Sequence, residues 1–163
     1  MGNGISFRCD KCGYKTVATY GIGFRFPTVY REIVEAIKAG NYGQKWKELF
    51  EHTPGAAINA EMEFYVCAHC GSLANEPNLT MYAPNDPGIS KTHNERFSIA
   101  NPAVGREYVM LYELEKNYRR VKVFVHKCPE CGKRMHKYKS GEQLKCPECK
   151  TGTMEFDGML NWD

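Results

Sequence analysis

The sequence predicts an α+β fold: two small β units, each closed by four cysteines, the first carrying a helical insertion. Three observations predict it. All eight cysteines fall in four C-x-x-C pairs: "CDKC" at 9–12, "CAHC" at 67–70, and "CPEC" at both 128–131 and 146–149. Between the first two pairs, apolar residues recur at helical spacing. Close to the later pairs they alternate, as in strands.

The cysteine pairs fix the chemistry first. No thiol is left over, and a two-residue span strains a structural disulfide. A redox motif needs one such pair, not four. A tetrahedral thiolate shell takes two pairs, so four pairs make two zinc sites. Fourteen residues separate Cys131 from Cys146, enough for a hairpin to bring two knuckles together. This spacing predicts one site from Cys128, Cys131, Cys146 and Cys149. "KRMHKYKSGEQLK" would be the hairpin, turning at Ser140-Gly141.

The other site would join Cys9 and Cys12 to Cys67 and Cys70 across fifty-four residues, because loop closure costs grow only logarithmically. A crossed arrangement, the second knuckle with the third, is the alternative. The expected domains are residues 1–83 with the helical insert, a linker or irregular crossover over 84–106, and a C-terminal unit over 107–163. Gly13, Gly71 and Gly132 follow three knuckles, where a left-handed turn lets backbone amides point at sulfur. Lys150 stands in that place in the fourth, so that knuckle is strained or its glycine role passes to Gly152.

The elements follow in order. "YKTVATYGIGFRF" reads as strand and loop. Pro27 and Thr28 open a helix along which Val29, Tyr30, Ile33, Val34 and Ile37 form an apolar stripe, ended by Gly40. "GQKWKELFEH" is a shorter helix with Trp46, Leu49 and Phe50. "EMEFYVC" alternates Met62, Phe64 and Val66 against Glu61, Glu63 and Tyr65 and enters the second knuckle as a strand, with "LTMYA" returning. "REYVMLYEL" is a strand or short helix. In "RRVKVFVHK", Val121, Val123 and Val125 alternate with Lys122, Phe124 and His126, and the strand delivers Cys128. Met154 and Phe156 mark a last strand.

The knuckles resemble those of the zinc-ribbon and rubredoxin-like group, and "CDKCGY" is close to the first rubredoxin knuckle. The whole layout, a knuckle, "GIGFRFP" with a helical insert, a second knuckle and then a C-terminal ribbon, resembles bacterial proteins with two zinc ribbons. The resemblance implies metal binding and names no activity. The insert sets this chain apart from rubredoxin, which is much smaller.

The net charge is +3, unevenly spread. Residues 1–117 carry twelve Lys/Arg against thirteen Asp/Glu; residues 118–150 carry ten against three; the last thirteen carry none against three. The basic segment therefore predicts a polyanionic or acidic partner. Lys133, Arg134, Lys137, Lys139 and Lys145 would meet phosphates while Tyr138 stacks on a base, or the same surface would grip a protein. A solvated hairpin offsetting two dianionic metal–thiolate sites is the plainer reading. No run spans a membrane and no secretory signal opens the chain, so a cytoplasmic location is expected. Gly2 and Ser6 match a myristoylation pattern, although a start leading into a strand explains them equally. Asn78 in "NLT" would be a glycosylation acceptor only after secretion.

The expected function is a zinc-binding adaptor or regulator with two structural sites, taking a protein or nucleic-acid partner. Four thiolates leave a metal no open position for catalysis. His69, His126 and His136 lie near cysteines that need no replacement, and His52 and His93 lie in no motif. An iron electron-transfer protein, or an enzyme with a site in the helical insert, are the alternatives; no catalytic residue is assigned.

Overall fold

A computed structural model describes residues 2–23, 25–86, 88 and 108–162. It is α+β with antiparallel sheets. In chain order the elements are β1 (Gly2–Cys9), β2 (Lys15–Tyr20), α1 (Phe26–Lys38), α2 (Gln44–His52), β3 (Ala57–Ile58), β4 (Met62–Val66), β5 (Leu73–Pro77) and β6 (Met81–Pro84). Then come α3 (Leu111–Asn117), β7 (Tyr118–Lys122), β8 (His136–Lys137), β9 (Leu144–Lys145) and β10 (Thr153–Trp162).

The chain divides into two interleaved units: one from residues 1–24, 62–77 and 125–163, the other from 25–61 and 78–124. The expected boundaries at 83 and 107 are therefore replaced. Each unit is discontinuous, and all four knuckles fall in the first. Of the expected linker, residues 84–86 and 88 are described; the rest lies outside the described residues.

The first unit holds two sheets, ordered β2-β1-β10-β9 and β5-β4-β8. The long β1–β10 ladder runs from Gly2 against Trp162 to Cys9 against Met154. It brings the first knuckle beside the last. The knuckle after β4 turns straight into β5, with Val66 opposite Leu73 and Met62 opposite Pro77. β4 thus returns through β5 rather than through "LTMYA". The side chain of Asn75 joins the two sheets: its Oδ1 accepts from Thr19 N at 2.8 Å, and its Nδ2 donates to Val17 O at 2.7 Å. A core of Phe7, Ala18, Phe64, Val66, Leu144 and Met154 fills the unit around Cys9 and Cys146. Gly2 is buried at the start of β1.

The expected C-terminal hairpin does not form. Its turn does, with Glu142 N donating to Lys139 O at 2.8 Å. The flanking strands, however, go to different sheets: β8 pairs with β4 and β9 with β10. Alternation also misleads before the third knuckle. Val121, Val123 and Val125 are 36%, 45% and 46% exposed. Phe124 instead meets Trp46 edge-on at 5.1 Å, and His126 is buried.

The second unit holds α1, which packs on α2, and the sheet β3-β6-β7. The stripe of α1 is core as expected: Tyr30, Ile33, Val34 and Ile37 are all buried. The Tyr30 hydroxyl accepts from Ile58 N at 3.3 Å, fixing α1 to β3. Asn78, the residue of the glycosylation pattern, is 5% exposed, and its Oδ1 accepts from Thr80 N at 3.1 Å. It is a buried turn residue, closed to a modifying enzyme.

Candidate metal centres

Each knuckle is built the same way from backbone. The residue after the second cysteine donates its amide to the carbonyl of the first: Gly13 to Cys9 at 3.2 Å, Gly71 to Cys67 at 2.9 Å, Gly132 to Cys128 at 2.8 Å and Lys150 to Cys146 at 3.1 Å. The three glycines have φ of 73°, 74° and 68°, and Lys150 has φ 61°. Lysine thus takes the left-handed turn itself, at a cost of roughly 1–2 kcal/mol. The fourth knuckle is also one residue longer. The first cysteine amide bonds Tyr14, Ser72 and Lys133 in three knuckles, five residues on, but Gly152 in the fourth, six on.

Gly152 is required for a second reason. A Cβ there would stand 2.3 Å from Cys9 Sγ and 2.7 Å from Asp10 Oδ1. Asp10 ties the same junction, accepting from Thr153 N at 2.8 Å. The left-handed role expected to pass to Gly152 stays with Lys150; what Gly152 supplies is space.

The knuckles join in a crossed order. Cys9, Cys12, Cys146 and Cys149 form one quartet; Cys67, Cys70, Cys128 and Cys131 form the other. The expected pairing of first with second and third with fourth is corrected to first with fourth and second with third. The cause is strand pairing: β10 carries the fourth knuckle to β1, while β8 carries the third to β4. In the outer quartet the closest sulfurs are 3.6 Å (Cys12 to Cys146) and 3.7 Å (Cys9 to Cys149) apart. In the inner they are 3.5 Å apart, Cys67 to Cys131 and Cys70 to Cys128.

All eight thiols are free. A disulfide would need sulfurs at about 2.05 Å. Four sulfurs at about 2.3 Å from a tetrahedral metal are about 3.8 Å apart, which fits these distances. Each quartet can hold a metal ion. In every knuckle the first cysteine is buried and the second faces outward.

Donors around the sulfurs favour thiolate. Cys9 Sγ accepts from Lys11 N at 3.4 Å and Cys12 N at 3.5 Å; Cys149 Sγ accepts from Gly152 N at 3.3 Å. The Ser72 hydroxyl, 3.1 Å away, together with its backbone amide, lowers Cys70 to about 6. Backbone hydrogen bonding from Thr151 lowers Cys149 to about 6. One sulfur in each quartet, Cys12 and Cys131, resists ionising. Cys12 is pulled down by the Tyr14 backbone, but desolvation and the thiols of Cys9, Cys146 and Cys149 outweigh this and raise it to about 12. Cys131 is likewise pulled down by Lys133 and raised on balance to about 12 by desolvation and the thiols around it. Sulfurs this close lose all their protons together only to a cation. Ser72, Thr151 and Asp10 were not singled out by sequence; serine two residues past a knuckle carries no pattern of its own.

Among the described residues no histidine joins either quartet. His126 stacks on Tyr65 with centroids 3.9 Å apart, His136 Nε2 meets Glu142 Oε1 at 2.6 Å, and His52 Nδ1 meets Glu48 O at 2.6 Å. His69 is exposed, and His93 lies outside the described residues.

The basic residues fare unevenly. Lys133, Arg134, Lys139 and Lys145 are exposed. Lys137 Nζ pairs with Glu63 Oε1 at 2.6 Å. Tyr138 is half-buried, edge-on to Phe7 at 5.7 Å and Phe64 at 6.0 Å, so part of its ring packs against the core. Grouped by unit, the basic excess of residues 118–150 is divided. The first unit carries ten Lys/Arg against nine Asp/Glu and the second twelve against ten.

Among the described residues no helix is long and apolar enough to cross a membrane. No protein-family model, curated protein or solved structure matches the chain.

Proposed function

We propose that the chain is a zinc-binding protein with two structural sites, acting in the cytoplasm as an adaptor or regulator that binds another protein. The observation that carries the metal reading is the pair of complete four-sulfur shells, with closest sulfurs 3.5 to 3.7 Å apart. Four thiolates leave the metal no position for substrate or water, which favours structure over hydrolysis. Eight free thiols suit a reducing compartment. A protein partner is favoured over nucleic acid because Tyr138 packs part of its ring against Phe7 and Phe64, which leaves less of it for a base. Lys133, Arg134, Lys137, Lys139 and Lys145 form the exposed basic surface, Lys137 in a surface pair with Glu63.

Metal analysis and a visible spectrum of protein purified without added metal test the first part. Two zinc ions per chain in a colourless sample are expected; visible colour with stoichiometric iron would replace zinc by an electron carrier. Capture of partners before and after nuclease treatment tests the second. A partner that survives nuclease supports the adaptor reading, and one that vanishes assigns the surface to nucleic acid.

A further inference from the structure

The two quartets share the knuckle turn; beyond the longer fourth knuckle, they differ in side chains and exposure. Ser72 is 6% exposed, and its hydroxyl sits 3.1 Å from Cys70 Sγ. Its counterpart in the outer quartet, Thr151, is exposed, with Oγ1 at 3.7 Å from Cys149 Sγ. Cys12 of the outer quartet is exposed, whereas every sulfur residue of the inner one is buried or half-buried. A hydrogen bond shielded from water is stronger than one shared with it. Donors to ligating atoms hold ligands in place and tune metal affinity. Exposure also decides which ligand a competitor reaches first.

We propose that the sites are unequal. On the zinc reading above, Ser72 is a positioning residue that makes the inner site the retained one, and the outer site is exchangeable. A competing nitrogen or thiolate chelator takes the outer metal through Cys12. The chelator takes the ion with its two positive charges, the freed thiolates regain protons from solvent only as far as the pH allows, and no electron changes hands.

The test uses the full chain, zinc-loaded and kept reduced, challenged with the chelator pyridylazoresorcinol. Two release phases of one metal each are expected, the fast one absent in Cys149→Ser and the slow one absent in Cys128→Ser. Ser72→Ala should weaken the inner site about 10–100-fold and leave the fast phase unchanged. Ser72→Thr, which keeps the hydroxyl, should restore it. In cobalt-loaded protein, Ser72→Ala should shift the inner site's thiolate charge-transfer band, a change that mere loosening of the fold would not mimic. A single phase, a fast phase belonging to the inner quartet, or a Ser72→Ala protein with unchanged release and cobalt spectrum would overturn the proposal. A chain that takes up no metal overturns the zinc reading itself.

Discussion

Gly152→Ala isolates the outer site with one carbon atom. That carbon would lie 2.3 Å from Cys9 Sγ, 2.7 Å from Asp10 Oδ1 and 3.3 Å from Cys149 Sγ. Ordinary contact needs about 3.5 Å or more, so sulfur or backbone must yield by roughly 1 Å. Metal–ligand distances tolerate only about 0.2 Å. The displaced Cys9 therefore leaves the shell, and the overpacking adds about 1–3 kcal/mol of strain. Zinc stoichiometry by mass spectrometry under native conditions should fall from two to one, the inner quartet remaining loaded. Gly132→Ala is the control: φ is +68° and nothing lies within 4 Å of the added carbon. It should cost only the left-handed backbone, roughly 1–2 kcal/mol, and keep both ions. A Gly152→Ala protein holding two ions at unchanged affinity would refute the reasoning.

The crossed pairing gives a genetic test: Cys12→Ser with Cys146→Ser disables one site and should leave one ion, whereas Cys12→Ser with Cys70→Ser disables both and should leave none. Metal binding should release protons at pH 7, since Cys12 and Cys131 are raised to about 12 and must ionise to ligate. Protons then compete as pH falls, so affinity should weaken toward acid, and calorimetry in buffers of different ionisation enthalpy measures the release. Tyr30→Phe removes the acceptor of the buried Ile58 amide and should cost about 1–3 kcal/mol in denaturant unfolding without changing metal content. Replacing Lys133, Arg134, Lys139 and Lys145 together with Ala should leave both ions in place while weakening partner capture; undiminished capture would remove this surface.

The eight candidate ligands were legible because C-x-x-C, followed by glycine in three of the four knuckles, carries both its chemistry and its turn. Helix α1 was legible because Tyr30, Ile33, Val34 and Ile37 fix one face. Which knuckles join was not. Closing 133 residues between Cys12 and Cys146 instead of 14 costs only about 2 kcal/mol more by loop-length scaling. The eight register pairs of β1 with β10 outweigh that, and no spacing rule contains them. The packing of Tyr138 was hidden for a related reason. A tyrosine among lysines reads as fully exposed until β8 is placed against β4, where its backbone amide donates to Phe64 O at 2.8 Å and part of its ring packs against the core.

The nesting of the quartets sets a timetable for synthesis. The inner quartet is complete once Cys131 has left the ribosome. Cys9 and Cys12 must wait for Cys149, 137 residues after Cys12. At about 5–20 residues per second that wait is roughly 7–27 s. During it the nascent chain carries an unpaired dithiol beside strand β1, whose ladder partner β10 does not yet exist. The first cysteines made are among the last to be satisfied, so the growing chain depends on a reducing surrounding for longer than a protein whose knuckles close in sequence.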